Sequence, residues 1–205
     1  MNLKEKKERL TAIYDGFESE SGEFRKQAVC RPGCAFCCTN MGNIDMTTLE
    51  GLVIRERMSG FSSKEKKGIQ NRLLRNRQEK EKGNSMQCPF LKEDHTCLIY
   101  EIRPFSCRQL YSLEKCGPAG ATVHRQAREM AEKTVKQLQR LDENGYSGHI
   151  SFILHLLDNR EFREFYQSGG FDPSRIRDFG KSRGLLINRM VSASPIPEKT
   201  EASAD

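Results

Sequence analysis

The sequence lacks the apolar segments that direct a chain into or across a membrane. No stretch approaches the roughly 18 consecutive apolar residues that a membrane-spanning helix requires. The first ten residues, MNLKEKKERL, place charged side chains between single apolar ones, whereas a secretory signal needs a continuous apolar region. We therefore expect a cytoplasmic protein with no membrane-spanning segment.

Large apolar side chains are also scarce. The chain has no tryptophan, and 36% of its 205 residues are hydrophobic against 30% charged, so a core made of apolar side chains alone would be thin. Metal ligation would supply the missing stability, because the free energy of binding at a structural metal site is also free energy of folding.

Cysteine, by contrast, is abundant, and half of the eight cysteines fall within nine residues, CRPGCAFCC. The eight are Cys30, Cys34, Cys37, Cys38, Cys88, Cys97, Cys107 and Cys116. In the reducing cytoplasm such cysteines indicate metal ligands or redox thiols rather than a disulfide framework. Because thiolates select soft and borderline metals, the sequence predicts zinc or iron, the latter also in the form of an iron–sulfur cluster.

Spacing within the first cysteine run limits which thiols can share a metal. Cys34 and Cys37 are separated by two residues, an interval at which a tight turn brings two sulfurs to one metal, and Gly33 suits such a turn. Adjacent side chains usually point apart, so we expect Cys37 and Cys38 to serve one ion unequally. Two four-thiolate sites fit the count, and so does one site with a reactive remainder.

The second group, Cys88, Cys97 and Cys107, is too widely spaced to chelate a metal by itself. Prolines and a short apolar run stiffen the loops that carry these cysteines, so ligands from the two distant segments would make the metal a clamp between them. Cys116 lies at the predicted start of a long helix, where a helix N-terminus favours a thiolate. It is an eighth candidate ligand, with a structural thiol as the alternative.

Two arginines and a histidine lie beside the second group. Arg103 and Arg108 flank Cys107, where they can donate hydrogen bonds to thiolate sulfur or bind an anionic cofactor or substrate. A salt bridge to a nearby glutamate is the alternative for both. His95 precedes Cys97 by two residues, and we interpret it as an exposed loop residue rather than a ligand.

Hydrophobic periodicity predicts a mainly α-helical fold with little or no sheet. Asp45 or Thr47 can cap a helix that runs to about Met58. Thr47 with Glu50, and Ser62 with Glu65, have the spacing of capping boxes and mark the starts of two helices. About six helices are expected, over residues 3–17, 47–58, 63–82, 119–142, 148–167 and 173–190. Residues 97–100 are a candidate short strand.

The helices and cysteine loops are expected to form a single domain over residues 1–190, followed by a disordered tail over 191–205. In this domain, a cysteine-cluster region over 30–116 packs against a helical region over 119–190. The helix predicted at 63–82 contains eight positive and three negative residues, a net +5 of the formal +6, but no aromatic residue for base stacking. Thiolates around a metal would cancel much of the total charge, so we do not expect nucleic acid as a partner.

Taken together, CRPGCAFCC, CPFL and CLIYEIRPFSCR, in that order, resemble the YkgJ-type cysteine-cluster family, described as zinc- or iron-chelating and as iron–sulfur-cluster-containing proteins. The resemblance covers about residues 30–116. It implies that seven of the cysteines, all but Cys116, form the metal site. It implies little about a reaction.

Three functions are compatible with these features. The first is a cytoplasmic protein that holds zinc or an iron–sulfur cluster through the two-segment cysteine clamp, in metal handling or electron transfer. The second is an iron–sulfur enzyme that modifies a protein side chain: flagellin lysine N-methylases are similar in having such a cysteine region, although this chain has no glycine-rich nucleotide loop. The third is a zinc-stabilised module that binds nucleic acid or an acidic protein partner through the basic helix.

Overall fold

Helices dominate the computed structural model, which describes residues 1–31, 33–40, 42–176 and 183–189. Within these residues the helices are α1 (Leu3–Glu20), α2 (Gly22–Arg25), α3 (Phe36–Asn40), α4 (Thr48–Ser59), α5 (Ser63–Glu81), α6 (Phe105–Arg108), α7 (Arg125–Leu141), α8 (Ile150–Asp158) and α9 (Arg160–Gln167). Three short strands, β1 (Asp45–Thr47), β2 (Tyr146–His149) and β3 (Leu186–Ile187), and two 3₁₀ turns, Tyr100–Ile102 and Pro173–Ile176, accompany them. The prediction of a mainly α-helical fold with little sheet is confirmed. None of these helices combines the length and the apolar character of a membrane span.

Both predicted capping boxes are present. The Thr47 hydroxyl accepts a hydrogen bond from the Glu50 N–H at 3.3 Å, and the Glu50 carboxylate accepts one from the Thr47 N–H at 2.7 Å. Ser62 and Glu65 make the same reciprocal pair at the start of α5. Each pair satisfies N–H groups that a helix terminus otherwise leaves without partners, which is why α4 and α5 begin where the sequence predicts.

Two predicted helices are wrong. The helix expected over 148–167 is divided into α8 and α9 at Asn159, whose side chain caps α9 by accepting from the Phe162 N–H at 2.9 Å. Of the helix expected over 173–190, the described residues show a 3₁₀ turn at Pro173–Ile176, one helical residue at Arg183 and β3 at Leu186–Ile187, so the prediction is wrong at both ends. Gly184 has φ +63° there, a left-handed conformation that glycine adopts without strain. Residues 177–182 and the predicted tail lie outside the described residues.

A three-stranded antiparallel sheet, ordered β1-β2-β3, joins the two central helices at their N-terminal ends. β1 leads directly into α4 and β2 into α8, and Asp45 pairs with His149 across the two strands. The buried Asp142 carboxylate, just before β2, accepts a hydrogen bond from the Leu49 N–H in the first turn of α4 at 3.0 Å. The sheet therefore fixes the starting points of α4 and α8.

The core contains two helix pairs, α4 against α8 and α1 against α7. Gly51 permits the close approach of the first pair, because a Cβ atom there would lie 2.8 Å from an Ile153 methyl carbon and 2.9 Å from one of Leu157. Beside the second pair, the rings of Phe17 and Phe105 meet edge to face, with their centroids 4.8 Å apart. Because Phe105 is the first residue of α6, this contact anchors one of the cysteine-bearing elements in the core.

Candidate metal centre

The first cysteine segment reaches the site through the short helix α3. Cys37 and Cys38 occupy successive positions on α3, so their side chains diverge by only about 100°. Their thiols interact with each other, and this interaction acts to raise the pKa of Cys37 and to lower that of Cys38. Whether the two thiols serve one ion unequally stays a prediction.

A backbone hydrogen bond joins the second cysteine segment to the first. The Cys88 N–H donates to the Cys38 carbonyl oxygen at 2.7 Å, and the interaction of the two thiols acts to raise the pKa of Cys38. Helix α5 supports this segment, because Arg72 Nε donates to the Pro89 carbonyl oxygen at 2.6 Å. Two segments that are distant in the sequence are thus aligned by main-chain contacts.

A tight turn presents Cys97. Residues Leu91 and Cys97 form an isolated antiparallel bridge, and His95 lies exposed in the turn between them with φ +62°. The Cys97 sulfur accepts a hydrogen bond from the Ile99 N–H. The strand predicted over 97–100 is wrong, because the chain leaves the bridge at once and turns into a 3₁₀ helix.

Helix α6 presents Cys107 from a rigid support. Phe105 is only 2% exposed, and its N–H donates to the buried Glu50 carboxylate at 2.7 Å. The Cys107 N–H donates to the Pro104 carbonyl oxygen at 2.9 Å. The position of Cys107 therefore depends on core contacts made by the residues just before it.

Five thiols interact where these elements meet, and we call them the inner thiol cluster: Cys37, Cys38, Cys88, Cys97 and Cys107. The Cys107 thiol interacts electrostatically with those of Cys37, Cys38 and Cys97, and the Cys38 thiol with those of Cys88 and Cys97. Cys88 is part of the buried core, and Cys38, Cys97 and Cys107 pack against it. The inner thiol cluster thus draws on both cysteine segments.

Three cysteines lie outside this cluster, and we call Cys30, Cys34 and Cys116 the outer thiols. Cys30 and Cys34 are exposed and Cys116 is half-buried. The Cys30 thiol interacts electrostatically with Cys34, Cys116 and Cys37, so Cys37 is the link between the two groups. Cys116 does not lie at a helix start as expected, because α7 begins only at Arg125.

Interactions between thiols and burial raise the pKa values of Cys37, Cys38, Cys97 and Cys107. The hydrogen bond to Cys38 and burial both raise the pKa of Cys37. The bond with Cys37 lowers the pKa of Cys38, but the bond with Cys88 and burial together outweigh it and raise the value to about 12. Burial raises the pKa of Cys97 and of Cys107. Such thiols are protonated at neutral pH, and a bound metal cation is the kind of charge that converts them to thiolates.

The thiol donors fit zinc or iron, although they are not arranged around a single metal position. Among the described residues, no three His, Cys, Asp or Glu side chains form a group that could hold a metal ion as they stand. Backbone N–H groups of Ile99 and Ser112 donate to the sulfurs of Cys97 and Cys30, as they do in metal–thiolate sites. Loops and short helices carry the thiols, so local movement of these elements would be needed to bring them onto one metal.

Arg103 places a cation beside the inner thiol cluster. Its guanidinium carbon lies 3.9 Å from the centroid of the Tyr100 ring, and Nη1 donates to the Tyr100 carbonyl oxygen at 3.1 Å. The positive charge acts to lower the pKa of Cys97 and of Cys107, against the larger effect of burial. Arg103 is therefore placed to compensate negative charge on thiolates.

Arg108 has a structural role instead. Its Nη1 donates to the Glu18 carboxylate at 2.8 Å, and its Nε to the Arg103 carbonyl oxygen at 3.0 Å. Nη2 donates to the Glu101 carbonyl oxygen, and the guanidinium carbon lies 4.4 Å from the centroid of the Tyr14 ring. A glutamate close in the sequence was the expected alternative partner of Arg108, but the salt bridge is made with Glu18 on α1, which no local pattern indicates.

Comparison with protein families gives one match. The family model described as "CxxCxxCC: Putative zinc- or iron-chelating domain" matches residues 29–140, more than half of the chain and all eight cysteines. No curated protein and no solved structure matches the chain. The resemblance to a cysteine-cluster family is confirmed, and the match identifies the matched region as zinc- or iron-chelating.

Proposed function

The chain belongs to the CxxCxxCC family of zinc- or iron-chelating domains, and on this premise we propose that it holds its metal in a two-segment cysteine clamp and serves in metal handling. One observation carries the proposal. The Cys88 N–H donates to the Cys38 carbonyl oxygen at 2.7 Å and so joins the second cysteine segment to α3, and the thiols of Cys97 and Cys107 are close enough to that of Cys38 to interact with it electrostatically. A metal bound there would tie the two segments together.

Four thiols of the inner cluster are the proposed primary ligands: Cys38, Cys88, Cys97 and Cys107. They are the members that belong to the apolar core or pack against it. The remaining four, Cys30, Cys34, Cys37 and Cys116, interact through Cys30 and would form a second four-thiolate set. This division gives each set the number of thiolates that tetrahedral zinc and iron–sulfur clusters require.

Electrostatics support the primary set. Four thiolates around a divalent ion, or around a cluster core of the same charge, leave a net charge of about −2. Arg103 supplies a compensating positive charge near Cys97 and Cys107. We therefore assign Arg103 to the stabilisation of the centre rather than to the binding of a separate anionic cofactor.

Partial exposure of the ligands favours metal handling over a sealed structural site. Cys38, Cys97 and Cys107 are half-buried, and Cys30 and Cys34 are exposed. Thiol exchange requires access for an attacking ligand, and exposed thiols next to a half-buried set provide a route by which a partner could deliver or remove metal. Electron transfer is the alternative if the metal is an iron–sulfur cluster.

Metal analysis of the anaerobically isolated protein tests the proposal. We expect zinc or iron in stoichiometric amount, with broad visible absorption if the iron is in a cluster. Protein without stoichiometric zinc or iron would refute metal handling by this chain.

Paired cysteine variants test the ligand assignment. Cys107→Ser should lose the metal of the primary set, whereas Cys116→Ser should lose only that of the second set. Ser106→Ala, on the same short helix as Cys107, is the matched control and should keep the full metal content. Full metal content in Cys107→Ser would refute the assignment of Cys107 to the primary ligands. Full metal content in Cys116→Ser would refute the second four-thiolate set.

A further inference from the structure

A cleft of about 410 Å³ lies between α6, α7 and the small sheet. Its apolar walls come from several elements, including Met46 on β1, Phe105 on α6, and Val135 and Leu138 on α7. Ligand pockets typically have volumes of about 300–1,000 Å³, with apolar walls and a few polar groups. The cleft therefore has the size and lining of a site for a small molecule, and it is separate from the cysteines themselves.

The charged side chains among the described residues of this lining are both carboxylates, Asp45 and Glu50. Glu50 is only 3% exposed, and its carboxylate accepts from the Tyr14 hydroxyl at 2.6 Å and from the Phe105 N–H at 2.7 Å. These donors are neutral, so hydrogen bonds stabilise the buried carboxylate while its charge has no ion-pair partner among them. The described lining thus carries two acidic side chains and no basic one, which favours a cation over an anion as the ligand.

Asp45 lies at the exposed side of the same cleft. No lysine or arginine in the described part of the chain forms a salt bridge with it. Lys80 reaches this end of the cleft, but its ammonium donates to the Asn43 side-chain oxygen. Asp45 is thus available to a cation that enters from solvent.

Ser106 adds a further polar group to the lining. Its hydroxyl oxygen is buried and has no hydrogen-bond partner in the described structure. Buried polar groups are normally paired, so a ligand that reached this hydroxyl would supply a missing partner. The unpaired hydroxyl is independent of the two carboxylates as an indication that the cleft takes a ligand.

We propose that this cleft binds a small organic cation, a primary ammonium on an apolar stem. The stem would lie against Phe105 and Leu138, and the ammonium would meet Asp45 with Glu50 beneath it. An anion would face two carboxylates, and a neutral apolar molecule would leave Asp45 without a partner. The proposal goes beyond metal handling and does not depend on which metal the thiols hold.

Three probes with the same five-carbon stem test the charge requirement: pentylammonium, 1-pentanol and pentanoate. Each is titrated into the ¹⁵N-labelled protein at constant ionic strength. Pentylammonium should give saturable shifts at the amides of Gln139, Ser147 and Gly148, and the other two should bind at least about tenfold more weakly. Equal affinity for 1-pentanol, or no saturable shift with pentylammonium, would overturn the proposal.

Variants locate the binding in the cleft. Asp45→Asn should weaken pentylammonium binding by about fivefold or more, and Val135→Arg should abolish it by placing a bulky cation in the cleft. Glu132→Gln removes an exposed carboxylate from α7 outside the lining and should leave the affinity unchanged. The amide spectrum of each variant confirms that it is folded. A loss in Glu132→Gln as large as that in Asp45→Asn would mean attraction to the whole surface and would refute a site in the cleft.

Discussion

Asp142 is a carboxylic acid that the fold buries completely. Its oxygens accept hydrogen bonds from the Leu49 N–H at 3.0 Å, from the Tyr166 hydroxyl, and from the Asn188 side chain at 3.2 Å. Burial raises its pKa to about 7, although the bonds from Tyr166 and Leu49 act in the opposite direction. The native state therefore binds a proton here in a pH range where an unfolded chain has released it.

Stability is expected to fall between about pH 4 and pH 7 on account of this residue. Because the folded pKa lies above the unfolded one, the contribution of Asp142 is fully present below about pH 4 and is lost as the pH rises through about 7. The slope is at most about 1.4 kcal/mol per pH unit for one proton. Urea unfolding at a series of pH values, for the wild type and Asp142→Asn, measures it.

The difference between the two proteins isolates Asp142 from the titration of metal-binding thiols, which both share. That difference should change between about pH 4 and pH 7 and be constant on either side of this range. If the two proteins keep the same difference across the range, Asp142 does not titrate as proposed. The sequence gives no sign of this residue, because LDENGY resembles an ordinary exposed turn and its burial follows from β2 and α4 closing over it.

The helices α4 and α5 both begin with a capping box, but the cap of α4 is buried and that of α5 is exposed. Substitutions at the two caps therefore show how burial changes the contribution of a cap to stability. Thr47→Ala removes a buried cap whose hydroxyl also donates to Glu50 at 3.0 Å, and we expect a loss of about 2 kcal/mol in the free energy of unfolding. Ser62→Ala removes an exposed cap and should cost about 1 kcal/mol. Chemical denaturation measures both.

Thr47→Ser is the control, because it keeps the hydroxyl and should retain most of the stability. A larger loss in Ser62→Ala than in Thr47→Ala would contradict the dependence on burial. The comparison also tests whether the start of α4, which lies between the sheet and the cleft, is stabilised locally or only by its packing on α8.

Local signals explain which elements could be predicted. α4 and α5 have capping boxes, and both begin where these indicate. The break at Asn159 was missed because apolar residues continue on both sides of it, and a cap inside an apolar run looks like an ordinary helical position. The strands have two to four residues, too few to show alternation. They form because tertiary contacts pair them.

The same limit applies to the metal centre. That the chain chelates zinc or iron was predictable, because four cysteines within nine residues and four more downstream are typical of thiolate ligation. The separation into inner and outer thiols was not, since it depends on the turn that presents Cys97 and on Phe105 anchoring α6 in the core. The relative direction of the Cys37 and Cys38 side chains likewise depends on α3, the helix that contains both, and not on their spacing alone.

Metal removal is expected to loosen the molecule unevenly. Apolar contacts hold the helix pairs α4–α8 and α1–α7 together. By contrast, α3, the turn at Cys97 and α6 meet at the inner thiol cluster. Chelation should therefore lower amide hydrogen-exchange protection by about tenfold or more in α3 and in residues 86–99, with little change in α4 and α8. Mass spectrometry of exchange, under anaerobic reducing conditions, compares the metal-loaded and chelated protein. An equal loss of protection in all helices would show that the metal supports the whole fold rather than the cysteine segments.

The family match begins at residue 29 and ends at residue 140. Contacts that support the matched region cross both of these limits. α1, which precedes the match, supplies Phe17 to the ring of Phe105 and Glu18 to the guanidinium of Arg108. α8, which follows it, covers Gly51 and the rest of the inner face of α4. A recombinant fragment cut at the family limits would expose both surfaces to solvent, and we expect it to be insoluble or to lack a cooperative unfolding transition. The segment that the family model describes is thus smaller than the segment whose contacts support it.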